Sequence, residues 1–157
     1  MKIILLLFVL LLIIGFGGKF VVDYINKHGF PSFEKNATVK IGTHSFSVKV
    51  AKTSEEQQIG LSKTESLSKT SGMLFPFQKA DYYAFWMKNM KFPIDILYIN
   101  NKKIVTIFEN VPAPASPNEN PPLYHPTEPA TMVLEIQGGL VTKYTIKEGD
   151  TVTIENL

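Results

Sequence analysis

Four side chains carry the chemistry this sequence has to offer: Trp86, Lys88, Asp95 and Glu135. Asp95 lies inside Pro93-Ile94-Asp95-Ile96-Leu97 and Glu135 inside Met132-Val133-Leu134-Glu135-Ile136. A carboxylate in such an apolar strand pattern is costly unless it is paired or hydrogen-bonded. Lys88, which ends Phe85-Trp86-Met87-Lys88, is the obvious cation for it. One reading is structural, a partly buried ion pair or backbone-bonding carboxylates that fix strand register. The other is a polar cluster in an apolar cleft, with proton affinities shifted for acid–base work or ligand binding. Strand alternation puts Tyr82, Ala84, Trp86 and Lys88 on one face and Tyr83, Phe85 and Met87 on the other. Trp86 and Lys88 together would suit a sugar or a peptide, stacked on the ring and hydrogen-bonded at its edge. Against that, a lone Trp in a small β domain is more often core.

Other chemistries find no residues to carry them. His28, His44 and His125 stand far apart with no metal-ligand spacing, and each reads as a solvated histidine. There is no Gly-x-Ser-x-Gly, P-loop or dinucleotide fingerprint. The absence of cysteine rules out a thiol nucleophile. No metal or cofactor is implied. Asn36-Ala37-Thr38 matches a glycosylation sequon, which matters only in a eukaryotic secretory pathway.

The elements that must position these residues are mainly strands. Val39 and Ile41, a Gly42-Thr43-His44 turn, then Phe46, Val48 and Val50 predict a hairpin with one buried face. Thr53 to Leu61 predicts one short helix, with Ser54 as N-cap, Gln57 completing a capping box and Gly60 ending it. Further strands are expected at Met73–Phe77, Tyr82–Lys88, Ile94–Ile99, Lys103–Phe108 and Thr131–Ile136. Pro76 places its strand at an edge or a bulge, and Asn100-Asn101 marks a tight turn. Gly138 to Tyr144 suits one helical turn, and Ile146 to Ile154 closes the chain around a Glu148-Gly149-Asp150 turn. Pro112 to Pro129 holds seven prolines in 18 residues, a long extended loop. The gaps are too short for helices between strands, so the expected fold is a mainly β single domain, a compact β-sandwich or barrel.

Residues 1–22 are of another kind. Ile3 to Ile14 is an apolar run of 12 residues, and Gly15 to Gly18 extend it without a charge. As a helix, Ile3 to Gly18 spans roughly 24 Å, and counting on to Val22 gives roughly 30 Å with Lys19 at the interface. This predicts an uncleaved transmembrane anchor, the alternative being a signal peptide cleaved near Gly15-Phe16-Gly17. No polar face exists to make it a core helix. Residues 23–37 then form a linker, and 38–157 the β-rich domain. Charge on either side does not set the orientation, but a two-residue tail before the apolar run favours the domain outside the cytoplasm. The 16 basic residues are all Lys, and within 38–157 twelve Lys balance twelve acidic residues. A neutral domain without Arg is a poor reader of nucleic acid.

Five segments carry a resemblance: EEQQIGL (Glu55–Leu61), GMLFPF (Gly72–Phe77), FWMKNMKFPIDILYI (Phe85–Ile99), VLEIQGG (Val133–Gly139) and IKEGDTV (Ile146–Val152). In order and spacing they resemble the family known as domain of unknown function 192. The FWMK block joined to Pro-Ile-Asp-Ile is the most specific. Asn89-Met90 stands where Asn-Thr is usual. The resemblance implies a β-sandwich-like domain that often follows a signal peptide or anchor. It implies no activity and no catalytic residue. The expected function is therefore a membrane-anchored extracytoplasmic binding or accessory domain, with Trp86, Lys88, Asp95 and Glu135 lining its site for an envelope glycan, peptide or protein. The alternatives are a hydrolase using Asp95 and Glu135 as acid and base, which needs carboxyls roughly 5–10 Å apart, and a structural partner of an envelope protein.

Overall fold

Thr38 and Lys40 alternate with the buried Ala37, Val39 and Ile41, and the same period in Phe46 and Val48 builds the strand beside them. A computed structural model describes residues 36–116 and 118–157. The apolar segment 1–22 and residues 23–35 of the linker lie outside the described residues. Among the described residues, no helix is long and apolar enough to cross a membrane.

In chain order the elements are β1 (Ala37–Ile41), β2 (His44–Val50), α1 (Ser54–Ile59), β3 (Ser71–Asp81), β4 (Phe85–Trp86), β5 (Ile94–Asn100), β6 (Lys103–Val111), β7 (Leu123–Tyr124), β8 (Ala130–Gln137), α2 (Leu140–Tyr144) and β9 (Val152–Glu155). The domain is mainly β, but it is not a sandwich of two stacked sheets. Seven strands form one sheet in the order β6-β5-β8-β3-β2-β1-β9, and β4 and β7 pair separately. The sheet curls into a half-barrel. Its first and last strands meet at a Lys103–Thr151 bridge, where Val152 N donates to Lys102 O at 2.8 Å and Gly149 N to Ile104 O at 2.8 Å. Joining the edges there removes part of the unpaired backbone that an open sheet exposes.

Both faces of the middle strands are covered. Leu97, Ile99, Leu134 and Ile136 pack with Val39, Phe46, Leu74 and α2's Leu140 and Val141 in one core. Ile94, Ile96, Tyr98, Val133 and Phe75 pack on the opposite face with Leu61, Met87 and Met90. This is why Ile94 to Ile99 is buried at every position instead of every second one.

β2 and β3 run parallel, Ser47 opposite Ser71 through Val50 opposite Leu74. A parallel pair needs a crossover rather than a tight turn, and α1 lies within it. The cap of α1 is shifted from expectation by one residue. Thr53 is the N-cap and Glu56 its partner: Thr53 Oγ1 accepts from Glu56 N at 3.2 Å, and Glu56 Oε2 accepts from Thr53 N at 2.8 Å. Ser54 and Gln57 fit the same pattern, but Gln57 spends its amide on Ala51 O and Pro76 O, tying α1 to β3. Gly60 ends the helix at φ +49°.

The strand expected over Tyr82–Lys88 is only two residues long. β3 runs on to Asp81 through a bulge after Pro76, and Phe85–Trp86 then pairs with Leu123–Tyr124 from the proline-rich loop. The loop therefore contributes a strand. At the Asn100–Asn101 turn, Asn101 and Lys102 both take positive φ, 47° and 61°, as a two-residue hairpin turn requires.

Candidate functional site

Glu135 sits at the middle of β8, between Met73 of β3 and Ile96 of β5. The flanking strands leave the residue only 5 % exposed, and Oε2 meets no hydrogen-bond partner among the described residues. Burial pushes its pKa up to about 8, which makes it a neutral acid at pH 7. Tyr98, two residues beyond Ile96 on the same face of β5, has its phenol pushed up as well, first by burial and then by Glu135. The Tyr98 hydroxyl donates to Tyr124 O at 2.6 Å, fastening β7 to β5.

Glu135 forms part of the wall of a small recess open to solvent. α1 and the turn after it supply Gln57 and Gly60, β3 supplies Phe75, and the β4 segment supplies Trp86 and Lys88. Glycine at position 60 suits the backbone, which at φ +49° is strained for an L side chain; a Cβ there would meet the Phe75 ring at 3.5 Å, an ordinary contact. Trp86 is 43 % exposed, and the Lys88 ammonium lies 5.1 Å from the centre of its ring. Met87, between them, is buried, as alternation predicts. Edge-on aromatic contacts hold this rim to the sheet: Phe85 meets Phe75 at 5.0 Å and Tyr98 at 5.9 Å, and Phe108 meets Tyr124 at 5.1 Å.

Of the four residues singled out in the sequence, the structure brings three together. Trp86, Lys88 and Glu135 line the recess. Asp95 does not. It pairs across β8 with Ile136, whereas Glu135 pairs with Ile96, so the two carboxylates point to opposite faces of the sheet. Asp95 accepts from Asn110 N at 2.6 Å, Gly139 N at 2.9 Å and Val141 N at 2.7 Å. It is the backbone-bonding carboxylate of the structural reading, holding the end of β6 and the start of α2 to β5. An acid–base pair of Asp95 with Glu135 is therefore not formed. Nor does Lys88 pair with either carboxylate: among the described residues the ion pairs are Lys40 with Glu155 and Lys91 with Glu65.

The remaining wall of the recess has little signature in the sequence. Gln57, Gly60 and Phe75 are unremarkable in composition, and the only signal for them was the motif pair EEQQIGL and GMLFPF, which the fold sets against each other. His44 stacks on Tyr144 at 3.9 Å on the other side of the domain, and His125 is exposed. His28 lies outside the described residues.

A single curled β-sheet with a partly apolar recess on its outer cover defines the class, a small β-rich domain with one buried acid facing an open cleft. The chain belongs to the family domain of unknown function 192, described as an uncharacterised ACR, whose profile matches residues 37–154. The crystal structure of a protein of unknown function from Novosphingobium aromaticivorans is similar at TM-score 0.64 and 34% identity, over 75% of this chain and 83% of that one. A Sinorhizobium meliloti protein described as a candidate transcription regulator is similar at TM-score 0.64 and 28% identity, over 75% of this chain and 91% of that one. No curated protein matches the chain.

Proposed function

We propose that this domain is a ligand-binding module displayed at the extracytoplasmic membrane surface, with the Trp86–Lys88–Glu135 recess as its site and residues 1–22 as its anchor. The observation that carries the reading is the floor of the recess. A buried acid without a hydrogen-bond partner costs stability, and a ligand entering the recess at Glu135 would offset that cost by pairing its carboxyl. The exposed indole gives that ligand a flat surface beside it. The proline-rich loop acts through β7, which pins β4 and so sets the position of Trp86. Hydrolysis by paired carboxylates has no support from this geometry, because the sheet separates Asp95 from Glu135. Transcriptional regulation, the description attached to the Sinorhizobium relative, has none from the charge: residues 38–157 are neutral and contain no Arg.

Trp86 is the chain's single tryptophan, so its fluorescence reports on this recess alone. Titrating the full-length chain with soluble glycan fragments and short peptides should give a saturable change in emission that Glu135→Ala removes while the circular dichroism of the sheet persists. A response indifferent to Glu135, or no response to any of the probes, refutes the site.

A further inference from the structure

The polar groups of the recess are unevenly matched, and the mismatch defines the ligand. Lys88 and Glu135 are the only titratable residues on its lining, which otherwise carries the amides of Gln57 and Gln58, the hydroxyl of Ser62 and apolar side chains. Both amide hydrogens of Gln57 are taken, by Ala51 O and Pro76 O, and Ser62 Oγ donates to Ile59 O at 2.6 Å. What is left to offer is the Lys88 ammonium, the carboxyl of Glu135, and at the exposed mouth the Gln58 amide and the Trp86 indole N–H.

We infer that the recess takes a carboxylate ligand, one oxygen held at the Glu135 carboxyl and the charge met by Lys88, with the ligand's flat apolar portion against Trp86. The inference rests on the binding reading above and names its ligand class. A neutral Glu135 presents an O–H donor, and the recess then carries one positive charge in place of a balanced pair. A lining rich in donors with one net positive charge selects a singly charged group with two acceptor oxygens. A bond from a neutral acid to a carboxylate is charge-assisted and therefore stronger than one between neutral groups. A doubly charged phosphate is less suited to walls of Phe75, Leu61 and Met90, and no Arg is present to grip it. Lys88 is free to turn. Its present partner is the exposed face of Trp86, a weak contact in solvent, so an arriving carboxylate draws it off the ring.

Binding of this kind is linked to a proton. Tyr98 from β5 faces Glu135, Lys88 from the β4 segment shares the recess with it, and α1 and β3 line the recess with residues that do not titrate. Tyr98 keeps its proton throughout the relevant range, because burial raises it further above its ordinary value. Glu135 alone therefore sets the pH response. A ligand that accepts from its O–H holds the acid form in place, and affinity falls once solution pH exceeds the pKa.

The test compares two sugars with the same ring, N-acetylmuramic acid, which bears a carboxylated ether substituent, and N-acetylglucosamine, which does not. Each is titrated into the full-length chain in detergent micelles and read by Trp86 fluorescence. The carboxylated sugar is expected to bind at least tenfold more tightly at pH 6. Lys88→Ala, a change at an exposed residue, should abolish that preference. Glu135→Gln, which still donates through its amide, should keep the preference but lose the tenfold fall per pH unit expected of the natural chain above pH 8. Equal or tighter binding of the neutral sugar, or a preference unchanged by Lys88→Ala, overturns the carboxylate assignment and leaves the binding site standing. No saturable response to either sugar overturns the assignment, and a chain that also ignores every glycan and peptide loses the site itself.

Discussion

Glu135 illustrates how one residue's environment can be half read from sequence. Its place in Val133-Leu134-Glu135-Ile136 already marks a charge that the chain has difficulty burying, and the structure confirms the burial. What the sequence leaves open is whether a cation compensates it. Lys88 was the obvious partner, yet its side chain leaves the sheet with Trp86 and lies over the ring. The acid stays protonated instead, and the consequence for stability follows from linkage. With the folded pKa near 8 and the unfolded value near 4.5, the folded state holds the proton more tightly. The stabilisation this provides is complete below pH 4.5 and is lost as pH rises to 8, at about 1.4 kcal/mol per pH unit. Glu135→Gln should therefore flatten the denaturation profile across that window and exceed the natural chain in stability at pH 8. Identical profiles for the two proteins would show that Glu135 ionises at an ordinary pH.

At the scale of elements, strands that pair with their sequence neighbours were legible and contacts between distant segments were not. The β1–β2 hairpin, the Asn101-Lys102 turn and β8 follow from alternation and turn chemistry that act over a few residues. The parallel β2–β3 pair and the β4–β7 ribbon depend on which edges remain free after the rest of the sheet has formed, and no local pattern encodes that. The expected Tyr82–Lys88 strand was cut to two residues for this reason. The FWMK and EEQQIGL motifs carried the site, but their meeting across the recess is a property of the crossover. Asp95 is the clearest element-scale joint: three backbone N–H groups from β6's end, Gly139 and α2 converge on it. Asp95→Ala leaves all three unpaired and should lower the unfolding free energy by about 3 kcal/mol. Because Asp95 faces away from the recess, Trp86 emission in the folded variant should match the natural chain. A variant of unchanged stability would mean that these bonds are readily replaced by water.

In the whole molecule a neutral β domain follows a leading segment of another composition. Residues 37–154 belong to one family, while Ile3 to Gly18 contains no charged residue at all. The proposed anchor has its own test. The full-length chain should remain with the membrane fraction through an alkaline carbonate wash, and protease added to the outer side of intact cells stripped of their wall should degrade the domain. Recovery of the uncleaved chain in the soluble fraction contradicts the anchor, and protection from external protease contradicts the orientation.

The most direct measurement is a carboxyl-carbon NMR titration of Glu135 in the full-length chain, assigned by comparison with Glu135→Gln. The account predicts a midpoint near pH 8, moving higher when a carboxylate ligand saturates the recess. A midpoint in the ordinary glutamate range, near pH 4.5, would place a full negative charge at the floor of the recess and contradict the account at its base.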